Sequence, residues 1–344
     1  MKIAIVNNRD GGFAQHWINY CKNNCIEYKE VDPYSSDIIE EVVDCDAFMW
    51  HHSHGDYRNL LFAKQLLFSM ENAGKIVFPN QHTGWHFDDK VGEKYMLEAL
   101  GLPLVESFVF YDKASALKWA MSTTYPKVFK LRGGAGAMNV KLVRNMNQAH
   151  KFINRCFGKG FTAFDRWAYC KDRFNKWRNG NDSFLGAMKG IGRLVIPVDN
   201  VNLRHHEKGY AYFQEFMPSN DFDTRVVVVG ANTGNIKASA FRRFVRPGDF
   251  RASGSGLKSY EDIDLATIKT AINAARAMKS QSTAFDFIYD TQGNPRIVET
   301  SYCFVTPIYH SYWDEKLNLH SEDINMAEEM IRNVIAEVNN KQTL

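Results

Sequence analysis

The sequence has no apolar run approaching the roughly 20 residues that a helix needs to span a bilayer, so we expect no membrane-spanning segment. The N-terminal MKIAIVNNRD is typical of a buried strand, and it lacks the apolar segment and small-residue cleavage site of a signal peptide. CxxC pairs and zinc-finger histidine spacings are also missing. We therefore expect a cytoplasmic protein whose six cysteines are reduced thiols.

A strong charge of one sign is missing too, because the 344 residues carry a net charge of only +3, which is too weak to predict nucleic-acid binding. The charge is nevertheless unevenly distributed. Residues 1–90 hold 8 basic and 13 acidic groups, whereas residues 151–210 hold 12 basic and 5 acidic groups. This basic segment indicates an anionic ligand nearby, although a solvated helix face explains it equally well.

The hydrophobic content of 45% excludes disorder as the main state, and the length predicts two or three subdomains. Over the first 80 residues, strand-like stretches alternate with helix-like stretches, which predicts a parallel sheet with helices on its faces. We therefore expect an open α/β domain over residues 1–86. The predicted strands are 2–7, 26–31, 47–51 and 76–79, and the predicted helices are 11–25, 36–43 and 57–73.

Beyond this domain, runs of strands followed by long helices predict two α+β subdomains. We expect a central subdomain over 87–209, with a basic aromatic insertion at about 158–209, and a C-terminal subdomain over 210–344. Two hairpins are predicted, one around a glycine-rich loop and one around the turn TQGNP. Their strands are 127–131 with 140–143, and 283–289 with 296–301.

The glycine-rich loop follows a predicted strand that carries Lys130. Gly133, Gly134 and Gly136 let the backbone approach phosphate oxygens and offer N–H groups to them, while Lys130 supplies a fixed positive charge. The segment matches neither the GxxxxGK[ST] P-loop nor a GxGxxG that opens a helix. Considered alone, an ordinary hairpin turn explains the loop at least as well as a phosphate site does.

Two acids, Asp286 and Glu299, lie inside otherwise apolar predicted strands. A carboxylate in such a strand is unfavourable unless it is paired or bound to a metal ion. If the TQGNP turn pairs the two strands, these residues face each other with their carboxylates about 5 Å apart. Their repulsion then favours a bound Mg²⁺, and an ion pair between one acid and a core arginine is the alternative.

A group of arginines lies on or near the neighbouring C-terminal strands, and forked guanidinium donors suit phosphate and carboxylate oxygens. Beside a two-carboxylate metal site, such a group indicates a nucleoside triphosphate and its transferred phosphoryl group. For any single member, a surface salt bridge is the alternative. The group consists of Arg225, Arg242, Arg243, Arg246 and Arg251.

Together these elements resemble the ATP-grasp superfamily, and most closely its RimK-type amino-acid ligases. The resemblance covers about residues 88–307 and rests on five segments in a fixed order, each of which is weak alone. FRASGSG and WDEKLNLH also resemble a subgroup associated with bacterial surface-polysaccharide clusters. The five segments are FDDKVGEKYMLEALGLPLVES, YPKVFKLRGGAGAMNV, YFQEFMPSNDFDTRVVVVG, RPGDFRASGSG and FDFIYDTQGNPRIVETS.

The resemblance implies the ATP-grasp fold, ATP as substrate and one or two Mg²⁺ ions, with Mn²⁺ as an alternative. It implies that Lys90 and Lys130 contact phosphates and that the loop with Gly133, Gly134 and Gly136 covers them. Four further sets of roles follow from it. They are adenine binding by Gln214, Glu215, Phe216 and Met217, ribose binding by Asp221 or Asn220, catalysis by Arg225, Arg243 and Arg251, and metal binding by Asp286, Glu299 and Ser301.

One departure concerns the metal site, where many relatives have Glu-x-Asn and this chain has Glu299-Thr300-Ser301. A serine hydroxyl coordinates Mg²⁺ less well than an amide oxygen does, so we expect weaker binding of a second metal ion.

The implied reaction is a ligation in which a carboxylate attacks the γ-phosphate of ATP and an amine then displaces phosphate from the acylphosphate. The expected partners are therefore a small-molecule carboxylate and a small-molecule amine, and many relatives are homo-oligomers. Two other functions remain open: a phosphotransferase with a non-carboxylate acceptor, and a nucleotide-binding protein without catalysis.

The acceptor substrate is less well defined by the sequence. His51, His52 and His54 end the third predicted strand, where open sheets bind ligands. They could bind substrate, act as a base near neutral pH, or pack as polar side chains at the strand end. The basic aromatic stretch 165–178 could hold an anionic acceptor such as a sugar acid.

Overall fold

The computed structural model describes residues 1–7, 12–133, 139–162, 207–245, 250–252, 256–305 and 308–342, and the single positions 170, 174, 177, 183 and 188. Contacts group the chain into two units. Unit 1 comprises residues 1–53, 58–105 and 217–344, and unit 2 comprises residues 54–57 and 106–216. The boundaries of the three domains expected from the sequence stay a prediction.

Unit 1 begins with a four-stranded parallel sheet in the order β2-β1-β3-β4, which confirms the predicted parallel sheet. The predicted element ends differ from the observed ones by at most three residues. The strands are β1 (Lys2–Val6), β2 (Glu27–Val31), β3 (Ala47–Trp50) and β4 (Ile76–Phe78), and the helices are α1 (Ala14–Asn23), α2 (Ile38–Glu41), α3 (Tyr57–Asn72), the unpredicted α4 (Gln81–Gly84) and α5 (Lys90–Ala99).

Unit 2 contains a four-stranded antiparallel sheet in the order β5-β8-β6-β7. The predicted hairpin around the glycine-rich loop is present as the β6–β7 pair. Phe129 and Phe213 point to one face of this sheet and pack with α6 and α7, so the opposite face carries the alternate residues. The elements are β5 (Ser107–Phe110), α6 (Lys113–Ser122), β6 (Lys127–Lys130), β7 (Lys141–Val143), α7 (Met146–Cys156) and β8 (Ala211–Glu215).

The C-terminal part of unit 1 is a mainly antiparallel sheet in the order β13-β12-β9-β10-β14-β15, with β11 paired to β10. The predicted hairpin around TQGNP is the β12–β13 pair. The short strands β11, β14 and β15 were not predicted. The elements are β9 (Phe222–Val229), β10 (Lys237–Phe244), β11 (Lys258–Ser259), α8 (Leu265–Met278), β12 (Ser282–Tyr289), β13 (Pro295–Ser301), β14 (Tyr312–Asp314), β15 (Leu319–His320) and α9 (Met326–Gln342).

The two faces of this C-terminal sheet bury different partners because side chains alternate along each strand. Val226, Val228 and Phe285 pack with the apolar residues of α8. Val227 and Val229 face the other way and share a core with residues of α1 and α9. The charged residues of β9 continue this second face, which is called the site face below.

Long-range polar contacts fasten the N-terminal sheet to the rest of unit 1. The indole Nε1 of Trp17 donates a 3.0 Å hydrogen bond to the carbonyl of Ala327 in α9. Gln281, 1% exposed, accepts a 2.9 Å bond from the backbone N–H of Asn80 and donates a 2.9 Å bond to the carbonyl of Val77. Because the buried polar atoms of Trp17 and Gln281 have hydrogen-bond partners, these contacts fix the orientation of the N-terminal sheet within unit 1.

Carboxylate or amide side chains set the beginnings of several helices. Asp89, Asp112, Asn145 and Asp264 each accept a hydrogen bond from an N–H group of the helix that follows. These are the residue types expected at an N-cap, and they explain where the helices begin. Within the part of the chain that the structure describes, no helix is both long and apolar enough to cross a membrane.

Candidate active site

Helix α5 presents Lys90 to the C-terminal sheet. Asp89 caps the helix, so Lys90 occupies its first position. Lys90 is 7% exposed, and its Nζ lies 3.1 Å from Oε1 of Glu299 on β13. Burial lowers the pKa of Lys90, but the charges of Glu299, Glu93 and Asp88 outweigh it and raise the pKa above its ordinary value. Lys90 is therefore a buried, permanently charged ammonium group.

Four charged side chains form an ion network on the site face of β9, β10 and β12. Arg225 lies opposite Asp286, and Arg243 lies opposite Asp223. Arg225 donates two hydrogen bonds to Asp286, from Nε to Oδ1 at 2.7 Å and from Nη2 to Oδ2 at 2.8 Å. Arg243 donates two to Asp223, at 2.6 Å and 2.7 Å, and its Nη2 also lies 2.8 Å from Oδ2 of Asp286. Asp286 is therefore shared by both arginines.

The arginines determine the ionisation of Asp286. Burial raises the pKa of Asp286, but Arg225 and Arg243 together outweigh burial and hold that pKa well below its usual range. Burial also raises the pKa of Asp223, and the negative charge of Asp286 raises it further. The hydrogen bonds from Arg243 oppose this rise without cancelling it. Asp286 is consequently ionised at neutral pH.

A β-bulge brings Glu299 to the site face. Asp286 pairs with Glu299, whereas the next pair is Phe287 with Ile297, so Val298 is an additional residue in β13. If the pairing from the turn continued without this bulge, Val298 would lie opposite Asp286 and Glu299 would point to the other face. The predicted opposition of Asp286 and Glu299 is confirmed, and the bulge is its structural cause.

The site face balances three carboxylates, Asp223, Asp286 and Glu299, with three cations, Arg225, Arg243 and Lys90. We expected the facing acids to be neutralised by Mg²⁺, with an arginine partner as the alternative. In the structure, Asp286 is paired with arginines, which is the alternative, and Glu299 forms an ion pair with Lys90.

The oxygen donors of Asp286 and Glu299 still fit a magnesium ion. A carboxylate has about four acceptor positions, and Asp286 uses three of them for the two arginines. No group of three or more His, Cys, Asp or Glu side chains is arranged for a metal ion among the described residues. Mg²⁺ commonly takes one or two protein carboxylates and completes its shell with phosphate oxygens and water. The residues present therefore fit a metal ion that binds together with a phosphate.

Ser301 offers a weaker donor than its neighbours. Its Oγ accepts a 3.1 Å hydrogen bond from the N–H of Cys303 and donates a 3.2 Å bond to the carbonyl of the same residue. A metal ion would have to compete with these contacts for the hydroxyl.

His86 lies behind β13, on the side of Thr300. Its Nδ1 is 3.5 Å from the hydroxyl of Thr300, and the ring is fully buried. Burial lowers the pKa of His86 to about 3, with a smaller contribution from the positive charge of Lys64. His86 is therefore a neutral packing residue rather than a base near neutral pH.

This burial predicts an acid sensitivity. The unfolded chain protonates His86 below pH 6.5 while the folded chain resists until about pH 3, so acidification favours the unfolded state in this window. We expect His86 to reduce the free energy of unfolding by about 2 kcal/mol between pH 7.5 and pH 5.0. Urea unfolding of wild type and His86→Gln at both pH values tests this, and an equal pH dependence in the two proteins would contradict it.

In unit 2, the sheet face opposite the helices carries Lys130 and Gln214. Lys130 is 5% exposed, and its Nζ donates a 2.6 Å hydrogen bond to Oε1 of Gln214. Gln214 Nε2 in turn donates a 3.1 Å bond to the hydroxyl of Ser107 on β5. On the other face, Glu215 forms an ion pair with Lys127. The two predicted nucleotide-binding side chains Lys130 and Gln214 are thus brought together.

The remaining predicted nucleotide-binding residues are less fully described. Gly133 is described, while Gly134 and Gly136 lie outside the described residues. Glu215 donates its backbone N–H to the carbonyl of Glu106, and Phe216 and Met217 follow the end of β8. The nucleotide-binding roles of these residues stay predictions.

The loop after β8 is joined to the end of β12. The side chain of Asn220 binds Tyr289 with both amide atoms, donating to its carbonyl at 3.0 Å and accepting from its N–H at 2.8 Å. The carbonyl of Asp221 accepts a 2.8 Å bond from Val245. Asn220 is thus engaged in structure, and Asp221 remains the residue predicted to contact ribose.

Of the other arginines of the predicted group, Arg242 lies away from the ion network. Arg242 points to the opposite face of β10, where it lies over the ring of Phe222 and binds the Asp262 carbonyl. Arg251 lies near the ring of Phe250, and Arg246 lies outside the described residues.

His51 and His52 pack among aromatic rings. His51 stacks on Phe13 with ring centroids 3.5 Å apart, and its Nδ1 accepts a 3.0 Å bond from the Phe13 N–H. His52 contacts the rings of Phe87 and Tyr302. Both histidines are at most 3% exposed, so the arrangement favours polar packing at the strand end over substrate binding. Most of the stretch 165–178 lies outside the described residues.

Sequence reasoning assigned no role to Asp223, although Asp223 holds the guanidinium of Arg243. A signal was available, because Asp223 and Arg225 are two residues apart in a strand and therefore share a face.

No protein-family model matches the chain, and no curated protein sequence matches it either. Solved structures do match. D-cycloserine synthetase is similar with a TM-score of 0.60 and 12% identity, over 98% of this chain and 100% of that one. A RimK domain ATP-grasp protein from Sphaerobacter thermophilus has a TM-score of 0.52 and 15% identity, and the match covers 88% of this chain and 91% of that protein. A D-alanine–D-alanine ligase from Bacillus anthracis, complexed with ATP, has a TM-score of 0.52 and 12% identity, and the match covers 89% of this chain and 87% of that ligase.

The chain has the ATP-grasp fold, with an N-terminal α/β part and two α+β parts as predicted. At identities of 12–15%, the similarity concerns the fold alone.

Proposed function

We propose that the protein is an ATP-dependent carboxylate–amine ligase that forms an amide through an acylphosphate. The observation that carries this proposal is the set of three cations and three carboxylates on one face of the C-terminal sheet. Permanent cations fixed beside oxygen donors suit a reaction in which phosphate charge must be neutralised. The ligase and the synthetase among the structures of the same fold support the same class of reaction.

The proposed roles follow from charge and position. Arg225 and Arg243 would neutralise the transferred phosphoryl group and the developing acylphosphate, and their bonds to Asp286 keep both guanidinium groups in fixed orientations. Asp286 and Glu299 would hold Mg²⁺, which neutralises phosphate oxygens, and Ser301 would be a weak additional donor. Positioning and charge neutralisation then account for catalysis without a protein nucleophile.

Other residues would bind the rest of the nucleotide. Lys130 would contact a phosphate, with Gln214 orienting its ammonium group. Arg251 would contact the phosphorylated intermediate, Lys90 a phosphate, and Asp221 the ribose. The loop with Gly133, Gly134 and Gly136 would cover the phosphates, and Glu215, Phe216 and Met217 would bind adenine.

The substrates are proposed by class. The carboxylate is a small molecule such as a sugar acid, and the amine is an amino acid or another small amine. This assignment rests on the basic composition of residues 151–210 and on the similarity to the surface-polysaccharide subgroup. A homo-oligomer that acts in polysaccharide biosynthesis in the cytoplasm would fit this substrate class.

A nucleotide-binding protein without catalysis is the second candidate. The specific observation in its favour is the engagement of the Ser301 hydroxyl with the backbone of Cys303. This engagement would weaken the binding of a second metal ion.

The test is ATP consumption in the presence of Mg²⁺, with and without pooled amino acids and carboxylates that include uronic acids. ADP and phosphate release that requires both a carboxylate and an amine is the expected result. ADP formation without a need for an amine would instead support a phosphotransferase. Tight ATP binding without turnover for any pair would support the non-catalytic candidate.

A further inference from the structure

Tyr309 carries a buried hydroxyl for which the described residues provide no hydrogen-bond partner. The residue is 1% exposed. Burial of an unsatisfied hydroxyl is unfavourable, and phenylalanine would fill the same space without this penalty. A tyrosine at this position therefore indicates a hydrogen-bond partner outside the described residues, and a bound substrate can supply one.

The position of Tyr309 connects this hydroxyl to the proposed active site. Two backbone hydrogen bonds to Ile324, of 3.1 Å and 2.8 Å, fix the main chain of Tyr309. Its ring lies next to that of Phe241, with centroids 6.1 Å apart, and Phe241 is directly opposite Arg225 in the β9–β10 pair. Burial raises the pKa of Tyr309 and the charge of Arg225 opposes this rise. The hydroxyl is thus a neutral donor in the neighbourhood of Arg225.

Arg225 has donor capacity beyond its contacts with Asp286. A guanidinium group has five N–H bonds, and two of those of Arg225 point to Asp286. The side chain of Arg225 is 24% exposed, compared with 8% for Arg243. Arg225 is therefore the more accessible of the two cations for an anionic substrate.

We propose that Tyr309 is a substrate-binding residue whose hydroxyl donates a hydrogen bond to the carboxylate that is to be activated, next to Arg225. This inference rests on the proposed ligase function. A neutral donor orients one carboxylate oxygen without the charge neutralisation that a further cation would impose, so the second oxygen stays nucleophilic towards phosphorus. The hydroxyl is closed to solvent in this structure, so the proposal requires neighbouring side chains to move aside when the substrate binds.

The first experiment compares Tyr309→Phe with Tyr302→Phe. Tyr302 is also fully buried, but its hydroxyl donates to the carbonyl of His52 and is structural. We expect Tyr302→Phe to lower the melting temperature by about 2–4 °C and Tyr309→Phe to leave it unchanged or raise it. A decrease for Tyr309→Phe as large as that for Tyr302→Phe would mean that the Tyr309 hydroxyl is structural, and would overturn the proposal.

The second experiment measures steady-state kinetics with the carboxylate that the wild type uses. The KM for the carboxylate should rise about 10- to 100-fold in Tyr309→Phe, because a hydrogen bond to a charged group is lost, while the KM for ATP stays constant. An unchanged carboxylate KM would refute the assignment of Tyr309.

A third measurement separates this inference from the ligase proposal. If the wild type turns over no substrate pair, thermal stabilisation by each pooled carboxylate is measured in the presence of ADP and Mg²⁺. Stabilisation of wild type that is lost in Tyr309→Phe supports the role of Tyr309 and leaves only the ligase proposal refuted. Equal stabilisation of both proteins, or of neither, overturns the role of Tyr309.

Discussion

Replacement of Glu299 by glutamine is expected to reduce ATP-dependent phosphate release by about 100-fold or more. Glu299 provides one of the two facing carboxylates, and its Oε1 lies 3.1 Å from Nζ of Lys90. A neutral amide weakens the proposed metal site and removes the counterion of a buried lysine at the same time. The measurement is the rate of ADP formation at saturating ATP over a range of Mg²⁺ concentrations.

Glu98→Gln is the matched control for this change. Glu98 lies on α5, the same helix as Lys90, and forms an exposed ion pair with Lys94 one turn away. Because exposed pairs contribute little, this variant should retain wild-type activity. If Glu299→Gln kept more than about a tenth of the wild-type rate at every Mg²⁺ concentration, Glu299 would not be a metal ligand of the reaction.

Asp286→Asn is expected to produce the largest loss of stability, about 3–5 kcal/mol of the free energy of unfolding. Asp286 is 8% exposed and receives hydrogen bonds from both Arg225 and Arg243. The amide leaves two guanidinium groups in the sheet with a single carboxylate, Asp223. Equilibrium unfolding in urea at pH 7.5 measures the effect.

Asp290→Asn provides the comparison, because Asp290 accepts its hydrogen bonds in the exposed turn between β12 and β13. Its effect on unfolding should be much smaller than that of Asp286→Asn. The double variant Asp286→Asn with Arg225→Met should recover part of the lost stability, since it removes an uncompensated cation. A loss below about 1 kcal/mol for Asp286→Asn would show that water can replace the carboxylate in this network.

The sequence predicts the elements of the fold because local patterns determine them. Alternating strands and helices in the first 80 residues predicted the parallel sheet, and the TQGNP turn predicted the hairpin that brings Asp286 opposite Glu299. Capping carboxylates such as Asp89 lie within a few residues of the helices that they begin. All of these signals act over short distances along the chain.

The ion network could not be predicted in the same way. Arg225 and Asp286 are 61 residues apart, and their contact depends on β9 pairing with β12, which no local pattern encodes. The sequence therefore left both a metal ion and an arginine open as the partner of Asp286. The short strands β14 and β15, of three and two residues, are too brief to show a periodicity.

Unit 1 is built from three stretches of chain. During synthesis, the N-terminal stretches therefore leave the ribosome before the C-terminal stretch that they pack against. The α1 helix packs on α9, and the Trp17–Ala327 hydrogen bond joins residues 310 positions apart. At typical rates of synthesis, about 15–60 s separate the appearance of these two residues. During that time the apolar face formed by Trp17 and its neighbours has no α9 to cover it, whereas residues 106–216 of unit 2 are complete before α9 emerges. We expect the nascent chain to expose this hydrophobic surface until α9 emerges, and transiently exposed surfaces of this kind are what chaperones bind.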